Sequence, residues 1–245
     1  MAFRGRDGTD VIILAAGRGS RLGLPQHKAL VPVRGQHGAL DLLLLNLSGL
    51  AARVHLVTGH QQQAVEEAAR RLRSDIRCIH NPDFARTEML HSLALALAAQ
   101  EGERRDAWVL SADTLYAEDA LTRLWSIGPG RLAVAVAPAM AGNDPEIPVA
   151  TAAGRVIAIG RDVLGGDGRM AHAVRWPAEH QEAVIAAADG GHRFQWQVLR
   201  ELLHGPGAPD VLAVPVAEGE AFDIDDPADL DHARSRHRDA LRQAG

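Results

Sequence analysis

This 245-residue chain is nearly without three things: thiols, lysines and long apolar runs. Its one cysteine, Cys78, excludes an internal disulfide, and its twelve histidines do not fall at the short Cys/His spacings of a zinc site. A reducing, cytoplasmic setting is the expectation. Met1 to Asp10 is polar and charged, and the apolar run Val11 to Ala16 is far too short for a secretion signal or a membrane span. Positive charge is not in excess either: the formal balance is −5, which speaks against a nucleic-acid surface. Neither nucleic acid nor membrane is expected as a partner.

The lysine shortage carries the most information. Of 26 basic residues 25 are arginine, and the sole lysine, Lys28, lies just downstream of a glycine-rich loop. What the chain does have is apolar residues, 47% of the whole, enough for a full core at the upper end of the size range of one domain. A single domain over residues 1–245 is expected.

The segments Asp10–Ala15, Arg53–Thr58, Asp75–Ile79, Ala107–Ser111 and Leu132–Ala137 have the short apolar pattern of strands. Helical patterns lie between them at Ala39–Ala51, Gln61–Leu72, Met89–Ala99 and Ala117–Trp125. That alternation predicts an α/β chain with a doubly wound, mostly parallel, Rossmann-like sheet. After Ala139 the rhythm changes: Pro148–Ala152, Arg155–Ile159 and Ala171–Arg175, joined by glycine-containing turns, predict a β-hairpin insertion flanking the site. Helices near Ala178–Ala188 and Phe194–Leu203 follow, then strands at Val211–Val216 and Ala221–Ile224. Asp226-Pro227 opens a last helix to Gln243, with one of the neighbouring aspartates as its cap.

The chemistry gathers in Val11-Ile-Ile-Leu-Ala-Ala-Gly17-Arg-Gly19-Ser20-Arg21-Leu-Gly23, followed by His27-Lys28. A buried strand running into small residues lets backbone N–H groups approach phosphate oxygens, and Arg21 and Lys28 add charge. An ordinary tight turn after the first strand is the plainer alternative. A Walker A loop is excluded, because Lys28 stands between histidine and alanine. A dinucleotide fingerprint fails because its third glycine falls on Leu22.

The stretch Leu14-Ala-Ala-Gly-Arg-Gly-Ser-Arg-Leu-Gly with His27-Lys28 resembles the signature of the sugar-phosphate and phosphocholine nucleotidyltransferase superfamily. Asn81 to Ser92, Leu110-Ser-Ala-Asp113 and Phe222-Asp-Ile-Asp225 agree with it in order and spacing. The resemblance implies a loop wrapped around a triphosphate, with Leu14, Ala15, Ala16, Gly17, Gly19, Ser20, Arg21, Asn81, Glu88 and Ser92 as nucleotide-binding residues. It further implies Mg²⁺ held by Asp113 and Asp225, and catalysis by Lys28, Arg21 and Arg161. The chain departs from the family pattern in carrying Glu88 where many relatives have asparagine, and in a shorter spacing from Arg21 to Lys28.

Several alternatives stay open. Alternation along a strand puts Asp223 and Asp225 on one face, so the residues alone do not separate them. Arg161 is equally readable as a solvated turn arginine. Trp176, Trp196 and Glu201 fall where phosphocholine enzymes resemble this chain, and aromatic faces with a carboxylate suit a cationic amine, although tryptophans in such places are more often core. Asp144 and Glu146 are lesser candidates. The implied function is transfer of a nucleotidyl group from CTP to a small phosphorylated or phosphonate acceptor, phosphocholine- or aminoethylphosphonate-like, with release of pyrophosphate. A sugar-1-phosphate uridylyl- or thymidylyltransferase and a non-catalytic nucleotide-binding relative are the other classes.

Overall fold

The computed structural model describes residues 8–48, 53–100, 102, 104–139 and 146–243, with side chains up to 236. In chain order the strands are β1 Asp10–Ala15, β2 Val54–Thr58, β3 Arg77–His80, β4 Ala107–Ser111, β5 Thr114–Tyr116, β6 Leu132–Pro138, β7 Pro148–Ala152, β8 Arg155–Ile159, β9 Gly168–Trp176, β10 Val211–Pro215 and β11 Ala221–Asp223. The helices are α1 Ala39–Asn46, α2 Gln62–Leu72, α3 Met89–Ala98, α4 Glu118–Trp125, α5 Gln181–Asp189, α6 Gln195–His204 and α7 Pro227–Gln243. The expected elements are present, most of them within two residues of their expected bounds. Helix α1 ends earlier, at Asn46.

Nine strands form one sheet in the order β3-β2-β1-β4-β9-β6-β10-β8-β7. Strands β3, β2, β1 and β4 run parallel, with Leu14 in register with both Val57 and Ser111. Burial follows the pleat. Val11, Ile13 and Ala15 face a core with Leu40, Leu43, Leu44, Val65 and Leu121, while Ile12 faces another with Leu90, Leu93, Val174 and Val184. Helices α1, α2 and α4 therefore cover one face, and α3, α5 and α6 the other. Each fully buried leucine in these layers contributes on the order of 2 kcal/mol.

The segment expected as part of the hairpin insertion is divided between two places. Strands β7 and β8 form the hairpin at the sheet edge, but β9 runs through the middle, antiparallel to both β4 and β6. The sheet is therefore mixed: parallel from β3 to β4 and again between β6 and β10, antiparallel elsewhere. The reason is burial on both faces: Ala171 and Ala173 point into one core, Met170, Val174 and Trp176 into the other. Strand β5, absent from the sequence pattern, pairs antiparallel with β11 in a separate ribbon, Thr114 opposite Asp223. That ribbon ties the end of β4 to the segment before α7.

Candidate active site

Because β1 and β4 are parallel neighbours, both end at the same edge of the sheet, and the glycine loop and Asp113 emerge side by side. The Ala112 N–H donates to the Leu14 carbonyl at 3.0 Å, and the His60 N–H to the Ala16 carbonyl at 3.1 Å. Among the described residues the N–H groups of Gly17, Arg18 and Gly19 bond no backbone carbonyl. Gly19 takes φ +58°, and a Cβ there would lie 2.9 Å from the Lys28 stem. This glycine lets the lysine cross beneath the loop. Gly59, which the sequence pattern did not single out, packs as tightly: its Cβ would meet Phe84 at 2.6 Å and the Ala16 oxygen at 2.8 Å.

Lys28 is the centre of the arrangement. Its Nζ pairs with Asp113 Oδ2 and lies 2.9 Å from Asp225 Oδ1, while Arg21 Nη2 reaches Asp225 Oδ2 at 2.8 Å. The Lys28 and Asp113 side chains are only 16% and 18% exposed, so this exchange of charge takes place in a partly dry setting. Burial works against the ammonium, but Asp113 and Asp225 outweigh it and hold the lysine pKa above its ordinary value. Burial likewise pushes the Asp113 carboxyl up, against the pull of Lys28. Two carboxylates converging on one cation, beside unsatisfied N–H groups and a second cation, are the donor set a divalent ion and a polyphosphate would together require.

The chain beyond β11 gives Asp223 and Asp225 different partners. Asp226 caps α7, its Oδ1 accepting from Ala228 N at 2.8 Å and Asp229 N at 3.0 Å. Asp225 is left to face Lys28 and Arg21. Asp223 turns instead to the Thr114 hydroxyl and to His172 Nε2, 2.7 Å away, so the two aspartates serve different clusters. Glu146 joins the second cluster, its Oε2 being 2.9 Å from the same His172 nitrogen. Burial opposes the charged ring, yet Asp223 and Glu146 carry the His172 pKa well above the usual histidine value.

Two cavities meet here. Leu14, Ala15, Ala16, Gly17, Gly19, Asn81, Glu88 and Ser92, all expected at the nucleotide, line the first with Lys28 and Asp113. Ser20 is outside the lining of both cavities, and Arg21 lines only the second. Asn81 is wholly buried with its side chain engaged: its Nδ2 donates to Thr87 and Ser92 hydroxyls and its Oδ1 accepts from Asp83 N. It shapes the wall. Glu88 stands at the rim, holding Arg193 at 2.8 Å.

The second cavity is lined by Arg21, Arg161, Trp196, Phe194, Glu146 and His172 among others. Two expectations for the acceptor are corrected. Trp176 is 0% exposed at the end of β9, its indole N–H donating to Gln195 Oε1 at 2.7 Å, and presents no face to a ligand. Glu201 is absent from the cavity lining and pairs with His192 at 2.8 Å on the outside of α6. Five residues along a helix amount to a turn of about 140° away from Trp196, so the two cannot share a face. Asp144 lies outside the described residues. The sequence missed His172, Tyr116 and Phe194, none of which sits in a recognisable motif.

His27, next to the lysine, is 2% exposed, with Nδ1 accepting from Ala29 N at 3.3 Å. Burial first, then the His60 and Lys28 charges, lower its pKa to about 4. A histidine neutral in the folded state and basic in the unfolded one stabilises the fold above pH 6.5, and that contribution is lost as pH falls towards 4. Through this window the wild type should lose on the order of 3 kcal/mol more stability than a His27→Gln variant. Parallel pH profiles of denaturant midpoints for the two proteins would remove His27 as the source.

Comparison with known proteins bears on the family and the fold. Residues 11–244 match the MobA-like NTP transferase domain. The chain is 28% identical over 235 residues to a bifunctional IPC transferase and DIPP synthase of Rubrobacter xylanophilus, aligning 92% of itself but only 51% of that protein. It is 37% identical over 119 residues, 46% of the chain and 18% of the relative, to a CMP-5′-(3-aminopropyl)phosphonate synthase of Streptomyces rubellomurinus. The chain thus spans about half, or less, of the length of these curated relatives. The inositol-1-phosphate CTP transferase of T. maritima has a similar fold, with a TM-score of 0.78 at 15% identity over 96% of this chain and 98% of that one. The CTP:phosphocholine cytidylyltransferase of Streptococcus pneumoniae superposes with a TM-score of 0.72 at 16% identity over 93% and 98%. With the family match running through both β1 and the segment that carries Asp225, the chain belongs to the MobA-like NTP transferase domain family.

Proposed function

We propose that this protein is a Mg²⁺-dependent cytidylyltransferase that joins CMP from CTP to a small phosphorylated or phosphonate acceptor and releases pyrophosphate. The observation that carries this reading is the convergence of Lys28, Arg21, Asp113 and Asp225 beside the glycine loop. One sequence relative just described makes a CMP-phosphonate, and two proteins of similar fold are named for CTP, which supports cytidine as the base.

The loop amides of Gly17, Arg18 and Gly19 would receive triphosphate oxygens, with Arg21 swinging from Asp225 to the leaving pyrophosphate. Lys28 would follow the α-phosphoryl group through in-line attack, compensating the charge that spreads over its oxygens. Asp113 and Asp225 would hold Mg²⁺, which takes oxygen ligands and would neutralise triphosphate charge. No general base is required. A phosphate monoester has a second pKa near ~6 and arrives mostly dianionic at neutral pH. Arg161 in the second cavity suits that anionic group, and the Trp196 and Phe194 rings suit an adjoining apolar or cationic part.

A pocket that hydrogen-bonds the edge of cytosine should reject uracil strongly, by at least ~10²-fold in kcat/KM. Thermal shifts with the four nucleoside triphosphates in Mg²⁺, followed by turnover on aminoalkylphosphonates and phosphocholine, test this. Equal kcat/KM with UTP and CTP would sink the cytidylyl assignment and leave the nucleotidyl-transfer reading standing.

A further inference from the structure

We propose that Glu146, His172 and Asp223 form a second divalent-cation site, distinct from the Asp113–Asp225 pair and suited to a first-row ion such as Zn²⁺ or Mn²⁺. The three groups come from separate parts of the chain: Glu146 from just before β7, His172 from within β9, Asp223 from the end of β11. Their ligand atoms nevertheless all lie within 4.8 Å of one another.

The hydrogen-bonding arithmetic points to an ion. A ring nitrogen carries at most one proton and directs one good hydrogen bond. Yet Asp223 Oδ2 and Glu146 Oε2 approach the same Nε2, at 2.7 and 2.9 Å. A protonated His172 can serve one of them well and the other only by sharing, while two carboxylates of like charge are held together in a part-buried place. A cation among the three atoms satisfies both carboxylates and the imidazole lone pair at once.

The surroundings orient these ligands from behind, as outer groups do around metal ligands. The Thr114 hydroxyl donates to Asp223 Oδ1, leaving Oδ2 turned towards the histidine. The hydroxyl of Tyr116, a residue 7% exposed, donates to the His172 carbonyl at 2.9 Å and accepts from Ser111 N at 3.2 Å. His172 takes φ +49°, which interrupts the regular pleat of β9. One nitrogen with two carboxylate oxygens favours a borderline ion over Mg²⁺, which prefers oxygen alone. Lys28 and Arg21 make their ion pairs with Asp113 and Asp225 rather than with these three groups.

Glu146 and His172 also line the cavity that contains Arg161 and Trp196, so open positions on the ion would face it. If the acceptor binds there, as in the nucleotidyl-transfer reading, one of its oxygens would complete the coordination. Only this last step rests on that reading.

The test is equilibrium dialysis of the full chain against Zn²⁺ alone, and separately Mn²⁺ alone, without nucleotide. Wild type and Asp225→Asn should each take up one ion with the same affinity, whereas His172→Gln and Glu146→Gln should weaken that uptake at least ~10²-fold. Circular dichroism checks that each variant is folded. Should His172→Gln fail to fold, Glu146→Gln decides the matter by itself. No uptake by wild type, or uptake unchanged in both variants, would overturn the site and leave an imidazolium between two acids. CTP turnover in Mg²⁺ is measured separately, so a failure of the nucleotidyl-transfer reading leaves the Zn²⁺ result intact, and the reverse.

Discussion

Lys28→Arg is expected to lower kcat by at least ~10²-fold, about 2.7 kcal/mol of transition-state stabilisation, with little change in melting temperature. The charge is kept, so the pairing with Asp113 and Asp225 survives in some form and the fold is not threatened. What is lost is shape. The lysine stem runs under Gly19, where the space is too small even for a Cβ, and ends in a compact ammonium that can track a moving phosphoryl group. A planar guanidinium prefers a fixed, two-pronged geometry and needs more room. Nucleotide affinity should fall less than kcat, because the loop amides and Arg21 still hold the triphosphate. A Lys28→Arg protein within about threefold of wild-type kcat would reduce Lys28 to a generic positive charge, and the mechanism would lose its central residue.

The second large effect concerns the carboxylates. Asp113→Asn and Asp225→Asn should each reduce kcat/KM on the order of 10³-fold or more, about 4 kcal/mol, at saturating Mg²⁺. Each change would remove the charge of a proposed metal ligand with almost no change in shape. Without nucleotide, Lys28 already occupies the point between the two acids. A metal ion arriving alone must displace it and leave a partly buried ammonium unpaired, and a nucleotide arriving alone must draw it from Asp113 and Asp225. The two ligands should therefore bind with positive coupling, each tightening the other. Calorimetric titrations of CTP with and without Mg²⁺ measure this, and equal affinities would refute the exchange. Glu201→Gln, on the outside of α6, is the control and should leave turnover unchanged. Near-normal turnover in either aspartate variant would remove that residue from the metal site.

Much of the candidate site was legible because its glycine-loop half is local. The loop from Leu14 to Gly23 is contiguous, and the strand before it is apolar at every position after Asp10, so small residues and charge stand next to a buried strand in the sequence itself. Asp113 was legible for the same reason, two residues beyond the end of an apolar strand. The second cavity was not. Trp176 and Trp196 are both tryptophans near a chain segment of the right kind, and nothing local says that one is fully buried in a core while the other opens on a cavity. Glu201 failed on helical phase, which an assumed contact with Trp196 disregarded.

The alternation of apolar strands and amphipathic helices determined the layered α/β fold, and small residues with a lone lysine determined the phosphate-cradle expectation, because both depend on neighbours within a few turns of chain. Only the tertiary structure decided that β9 enters the middle of the sheet, since burial on both faces suits a central position without saying which strands flank it. Only the tertiary structure separated Asp223 from Asp225. Their faces are set by the ribbon of β11 with β5 and by the cap at Asp226, and their partners lie far away in sequence: Lys28 197 residues from Asp225, and His172 brought in by a strand that crosses from another part of the chain. Periodicity reports what a segment buries, while the choice of partner depends on sheet order, which no single segment contains.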